Sequence, residues 1–478
     1  MRIQLTGCAV LLVLFTNAQE RFGILHSNYG GSDIGLLNPA RPAGQWPYAD
    51  IRILGADLFA WNSLIAWSDR QSPLVGELRN GMAGNTSGNV VLRSQGLAAT
   101  HRAVVQAGLS GPAFSLALGR GTIGAGIRSR VHVSATGISQ ELSNFIYHGL
   151  NYVPQRGERY RDAGIRAVGA AWTEFGLSYA HILHAQGFGM VSAGTNLRYA
   201  LGHAAGALQL TDLDYTVVDS ALLQVHEATA RYGFAMPAVN AGAGLGADVG
   251  MTYERTLEEV DGYRPHKGSG GCTPARYRYR IGVSLIDLGG MRFRQGEAGA
   301  ITAGAITIAD HTRLPIQDVE DLDSLLATST QWSRSKAFSI GLPTAVSVQY
   351  DQRLAENTYV AFAAVQQLAG RNAMRLRRSN SIAITPRFET RYFEASLPVV
   401  VHEYDVAHPS VGFMLRFNGL VLGSDHIMPF ISRGDVYAMD VYMRLRWMIF
   451  RSPACKGRRP AKRVSGGREM IPCATPNE

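Results

Sequence analysis

Nine arginines recur on one face of extended, alternating segments: Arg128, Arg130, Arg278, Arg280, Arg387, Arg391, Arg416, Arg444 and Arg446. Asp248, Glu254, Glu389 and Asp440 share that face. A guanidinium is a rigid planar fork that grips a carboxylate or phosphate through two parallel bonds. Gathered inside a closed wall, such groups either brace it as an internal ion-pair network or hold the anionic head of an amphipathic ligand. Both readings require buried ion pairs, and only the second leaves surplus positive charge beside a cavity. The candidate ligand set is Arg278, Arg280, Arg387, Glu389 and Arg391.

Motifs for other chemistry fail on context. Gly119-Arg120-Gly121-Thr122-Ile123-Gly124 matches the dinucleotide fingerprint, which needs a following helix to aim its amides at a pyrophosphate. A period-two segment follows instead, so this stretch reads as a hairpin connection between Phe114–Leu118 and Ile123–Val133. His181 and His184 have helical metal-ligand spacing, but in an extended segment that spacing puts the rings on opposite faces. His402-Glu403 and His226-Glu227 lack the second histidine of a zinc hydrolase, and no Gly-x-Ser-x-Gly elbow or Cys-x-x-Cys pair occurs. The residues therefore suggest no catalytic set, no metal and no cofactor, and the chain is not expected to be an enzyme. A lumen-sited lipid hydrolase stays open as an alternative, because a triad can be assembled from distant strands.

What must position the arginines is a wall of strands. Ile123, Ala125, Ile127, Val131 and Val133 alternate with Gly124, Gly126, Arg128, Arg130 and His132. Tyr277, Tyr279, Ile281, Val283 and Leu285 alternate with Arg276, Arg278, Arg280, Gly282 and Ser284, and Tyr437 to Ile449 alternates for its whole length. The polar face is Arg, Gly and carboxylate, which suits a crowded lumen better than bulk water. Of 478 residues, 53 are Gly and only 17% are charged, which also fits a wall with one face in lipid. The expected fold is all-β: a transmembrane antiparallel β-barrel of about 14 strands, at roughly 30 residues per strand and connection. Residues 141–166 and 310–332 break the alternation and read as loops with short helices, Val319, Leu322 and Leu326 having helical spacing.

Residues 1–18 have the layout of a secretory signal peptide, with Arg2, an apolar run from Cys8 to Phe15 and Ala18 before the cut. Residues 19–49 precede the first strand-like run, residues 50–450 form the barrel and residues 451–478 form a basic tail. The net charge is +9 from 46 basic and 37 acidic groups, and the tail alone carries seven basic and two acidic ones. The body shows no basic cluster of the kind that binds nucleic acid. In an exported chain Cys455 and Cys473 could close a loop within the tail, leaving Cys272 alone. The tail is either a solvated end or a docking segment for a periplasmic partner.

Asn28-Tyr29-Gly30-Gly31 with Leu37-Asn38-Pro39-Ala40 opens the chain, followed in order by Gly111-Pro112-Ala113-Phe114, Ala171-Trp172-Thr173-Glu174, Tyr279 to Gly289, Leu342-Pro343-Thr344-Ala345, Thr385-Pro386-Arg387-Phe388-Glu389 and Gly423-Ser424-Asp425. This series resembles an uncharacterised Bacteroidetes family of outer-membrane β-barrels, a domain of unknown function. That family is in turn similar to FadL-type fatty-acid transporters and PorV-like secretion proteins. The resemblance implies an outer-membrane barrel with a periplasmic C-terminus, a small N-terminal hatch containing Asn38, Pro39 and Ala40, and a lateral opening in the wall. It implies passive transport of a hydrophobic or amphipathic small molecule, with a non-transporting assembly or secretion component as the alternative.

Overall fold

A computed structural model describes residues 21–69, 89–92, 100–150, 152–268, 270–309, 330–368, 374–431 and 434–455. The wall contains 14 antiparallel strands. They are β1 (Ala49–Asn62), β2 (Thr100–Leu118), β3 (Gly121–Ser139), β4 (Arg159–Gln186), β5 (Gly189–Val217), the interrupted β6 (Leu222–Ala235 and Gly242–Thr256) and β7 (Tyr277–Phe293, Glu297–Ala303 and Ile306–Ala309). There follow β8 (Thr330–Ser335, Phe338–Gly341 and Ala345–Arg353), β9 (Thr358–Gln367), β10 (Ser381–Glu389), β11 (Phe393–Ser396 and Val399–His402), β12 (Ser410–Val411 and Phe413–Phe417), β13 (Leu420–Ser424) and β14 (Ala438–Ile449). β1 pairs with both β2 and β14, from Ala49 opposite Ile449 to Trp61 opposite Ala438, so the wall closes and has no free edge.

Alternation assigns the faces. In β14, Val441, Met443, Leu445, Trp447 and Ile449 point outward and are exposed, while Asp440, Tyr442, Arg444 and Arg446 point inward and are buried. Outward apolar residues recur on β2 to β5 as Leu109, Phe114, Ile123, Ile127, Phe175, Leu177, Leu197 and Tyr199. An exposed apolar surface this extensive around a closed wall is the surface of a membrane-spanning barrel. β4 and β5 have 28 and 29 residues, whereas about 10 suffice to cross a bilayer, so this side of the wall rises well beyond the membrane. Short turns such as Gly119-Arg120, where Gly119 takes φ +81, lie at the opposite end, where β1 starts and β14 finishes.

The expected loop at 141–166 is shorter than the sequence implies. Helix α1 (Gln140–His148) forms where Ser139 caps it by accepting the Leu142 N–H at 3.1 Å, but β4 already begins at Arg159. Residues 159–165 pair with β5, which accounts for the difference. Val319, Leu322 and Leu326 lie outside the described residues, as do the leader and the tail beyond Cys455.

Inside the barrel lies the segment from Arg21 to Tyr48, nearly all of it buried. Gly30, Gly31, Pro39, Pro42 and Pro47 keep it in short turns, so its backbone groups must find partners on the wall. Glycines make the closest approach possible. A Cβ placed on Gly194 of β5 would collide with the Pro39 carbonyl, and one on Gly250 of β6 or Gly282 of β7 would collide with the Asn38 amide. Elsewhere Trp172, Met291, Phe293, Phe338, Ile340, Leu342 and Leu376 pack into a buried apolar cluster.

Candidate functional site

Three of the five expected ligand residues meet in the lumen. Arg280 donates Nε to Glu254 at 2.7 Å and Nη1 to Asn28 Oδ1 at 3.2 Å, and stacks on Tyr277 with its guanidinium carbon 4.0 Å from the ring centroid. Arg387 forms a bidentate pair with Asp351 at 2.9 and 2.8 Å, and bonds the Tyr277 hydroxyl at 2.9 Å. Glu389 accepts from the Asn28 backbone at 3.1 Å and from the Asn28 amide. These arginines are saturated with protein partners, and the network they form ties the inner segment to β6, β7, β8 and β10.

Arg278 and Arg391 are corrections, since both are exposed on the outside. The register of β7 against β6 shifts between Tyr277 and Tyr279, and this bulge places Tyr277 and Arg280 inward and Arg278 outward. Arg391 falls in the hairpin between β10 and β11, where it packs against Tyr392 and Phe450 at 5.1 and 4.1 Å, so the face of Arg387 and Glu389 does not continue to it.

Asn38, Pro39 and Ala40 lie at the centre of the inner segment, fully buried. The Asn38 amide donates to Gln349 Oε1 at 2.9 Å and to the Met251 carbonyl at 3.0 Å, while its own oxygen accepts the Ala40 N–H at 3.0 Å. Asp33 takes Arg52 at 3.0 Å, and Arg446 donates to the Gly30 carbonyl at 2.8 Å. Burial pushes the Asp33 carboxyl upward, but the guanidiniums of Arg52 and Arg21 outweigh it and hold the carboxyl below its ordinary value. His26 is fully buried, and desolvation lowers its pKa to about 3, so its ring stays neutral.

A second network centres on Asp287, a residue the alternation did not flag. A second register shift in β7, between Leu285 and Leu288, turns Asp287 inward with φ 53. Its carboxylate takes both arms of Arg130 at 3.0 and 3.2 Å, Arg198 at 3.0 Å and Arg378 at 2.5 Å. Arg130 also reaches Glu174 at 3.1 Å, which accepts from Trp172 Nε1 at 2.7 Å. An acid followed by a glycine pair within an apolar run, Asp287 before Gly289-Gly290, was the available sequence signal.

Between this network and the inner segment is a recess of about 90 Å³. Its walls include Pro42 and Leu36 of the inner segment, Arg52, Glu174 and Arg198 on inward faces, and Phe114, Ile127 and Leu177 at outward positions of β2, β3 and β4. The inward positions here carry little side chain, since Gly126 faces Gly176, and β2 loses register against β3 between Ser110 and Ala113, around Gly111-Pro112. Arg128 lines the recess and, among the described residues, makes no hydrogen bond or ion pair. An arginine outside any hydrogen bond or ion pair therefore stands beside a cavity at Arg128, while the arginines at 280 and 387 are fully paired.

The expected pairing of Cys455 with Cys473 is also corrected. Cys455 is joined to Cys272, whose Cα lies 5.6 Å away across 183 residues of sequence. The tail turns back at Pro453–Cys455 against the loop between β6 and β7, and Ser452 bonds the His266 carbonyl at 2.6 Å. Cys473 is outside the described residues. Among the described residues no group of His, Cys, Asp or Glu could hold a metal ion.

Fold and site together define a membrane-spanning β-barrel whose lumen holds its own N-terminal segment. Residues 93–425 match a family of unknown function, DUF5723, and the chain belongs to that family. No curated protein matches it. Among solved structures it is similar to the toluene transporter TbuX of Ralstonia pickettii, at 10% identity and a TM-score of 0.40 over 88% of this chain and 94% of that one. It is also similar to a deletion mutant of the monoaromatic hydrocarbon channel TodX, at 10% identity and 0.40 over 88% and 95%. The toluene transporter TodX of Pseudomonas putida aligns at 10% identity and 0.32 over 91% and 100%. Likeness this distant carries no argument; the closure of the wall stands on its strand pairing.

Proposed function

We propose that the protein is an outer-membrane channel for the passive passage of amphipathic small molecules bearing a carboxylate or similar anion. The N-terminal segment serves as the hatch, with Asn38, Pro39 and Ala40 at its docking point, and the recess between β2, β3 and β4 joins the lumen to the lipid. The observation that carries this reading is Arg128, a cation in the lumen held in no hydrogen bond or ion pair, beside a cavity lined by both polar and lipid-facing positions. An anionic head would pair with Arg128, and an apolar tail would run past Ile127 and Leu177 into the membrane. The ion pair would have more weight there than in water, because the surroundings are of low dielectric.

Calorimetric titration of the detergent-solubilised protein with hexadecanoate and with its methyl ester tests the reading. Hexadecanoate should bind and the ester should bind at least tenfold more weakly, in line with about 1.5–3 kcal/mol for a charged hydrogen bond. Equal binding of the two, or of wild type and Arg128→Gln, would contradict it.

A further inference from the structure

At the short-turn end of the barrel a second cavity, of about 340 Å³, lies outside the wall against the turn Gly119-Arg120. Its apolar side is Leu118, Ile123 and Tyr179, all exposed and facing the lipid. Its other side is cationic: Arg120 from the turn, with Arg264 and Lys267 from the loop between β6 and β7. No carboxylate lines the cavity, and among the described residues none of the three cations forms an ion pair.

This cationic rim is held in place. The loop is fastened by the disulfide from Cys272 to Cys455, by Val260 and Tyr263 packed with Ala180 and Ile182 of β4, and by the Lys267 N–H donated to the Arg264 carbonyl at 3.1 Å. The Lys267 stem lies over Gly119, where a Cβ would sit 3.7 Å from its Cδ. Three cations on anchored backbone therefore stand at the edge of an apolar, lipid-facing wall, and an anionic group attached to hydrocarbon satisfies both sides.

We propose that this cavity binds the phosphate headgroup of an anionic phospholipid in the leaflet at the short-turn end, with an acyl chain laid along Leu118, Ile123 and Tyr179. The site is separate from the recess at Arg128 and does not depend on what the lumen carries. The double variant Arg264→Gln/Lys267→Gln changes only exposed side chains, and retained heat-dependent gel mobility would verify that its barrel is folded.

The test is native mass spectrometry of the protein released from mixed vesicles of phosphatidylglycerol and phosphatidylcholine. Wild type should retain phosphatidylglycerol in preference to phosphatidylcholine. Each cation removed should weaken retention about fivefold, as expected for a basic group at an anionic surface. Equal retention of the two lipids, or undiminished phosphatidylglycerol on the folded double variant, would overturn the proposal. A third arm adds glycerol phosphate at millimolar concentration. Failure to displace the lipid supports a lipid site, and full displacement would overturn it in favour of a site for free phosphate.

Discussion

The side-chain amide of Asn38 donates to Gln349 Oε1 at 2.9 Å, and the same nitrogen reaches the carbonyls of Met251 and Val283 at 3.0 and 3.4 Å. One side chain of the inner segment thus touches β6, β7 and β8. It can do so because Gly250 and Gly282 present bare backbone beneath it.

Gly250→Val should push Asn38 and Pro39 off this bed while leaving the barrel closed, because Gly250 contributes no side chain to the wall. Limited proteolysis should then cut within residues 21–48, with the folded band on an unheated gel unchanged. An inner segment as resistant as in wild type would show that the bed does not hold it.

Asp287→Asn keeps a residue that tolerates φ 53 but removes the charge shared by Arg130, Arg198 and Arg378. Breaking a buried pair on one side leaves uncompensated charge, so a loss of about 3–5 kcal/mol is expected. Urea-induced unfolding in detergent measures it. Arg161→Gln, which removes an exposed pair with Asp212, should leave the unfolding midpoint nearly unchanged.

His26 sets a pH dependence whose sign follows from its depressed pKa. The neutral ring is favoured in the folded state, with Arg41, Arg280, Arg387 and Asp351 around it, whereas the unfolded ring titrates near its ordinary 6.5. Its contribution is present above pH 6.5 and is lost progressively as the pH falls toward about 3. Wild type should therefore lose stability between pH 6.5 and pH 5, where most carboxylates are still ionised, and His26→Leu should reduce that loss without abolishing it, because His132, His402 and His266 are buried as well.

The disulfide can be checked by peptide mapping without reduction. A cross-linked peptide should contain Cys272 and Cys455. Cys473→Ser should leave it in place, and Cys272→Ser should remove it.

The wall was legible in the sequence wherever a strand runs without interruption. β14 alternates strictly, so its inward Asp440, Arg444 and Arg446 could be read directly. Arg278 could not, because a bulge between Tyr277 and Tyr279 reverses the faces on its N-terminal side while Arg280 and the residues after it keep the expected alternation, and nothing in the residue types marks the bulge. The candidate site was less legible still. Arg130 and Asp287 are 157 residues apart and Cys272 and Cys455 are 183 apart, so partners are set by closure of the wall. Arg128 and Arg130 look alike in sequence, and only the arrangement of strands leaves the first outside any hydrogen bond or ion pair.

The most direct test of the account follows a fluorescent long-chain carboxylate as it crosses proteoliposomes containing wild type or Arg128→Gln, with barrel folding verified by gel mobility. Wild type should accelerate transfer over protein-free vesicles, and the variant should lose about tenfold of that rate, the effect of one charged hydrogen bond in the recess. Transfer at the same rate through both proteins, or no acceleration by wild type, would contradict a passage that depends on the free arginine.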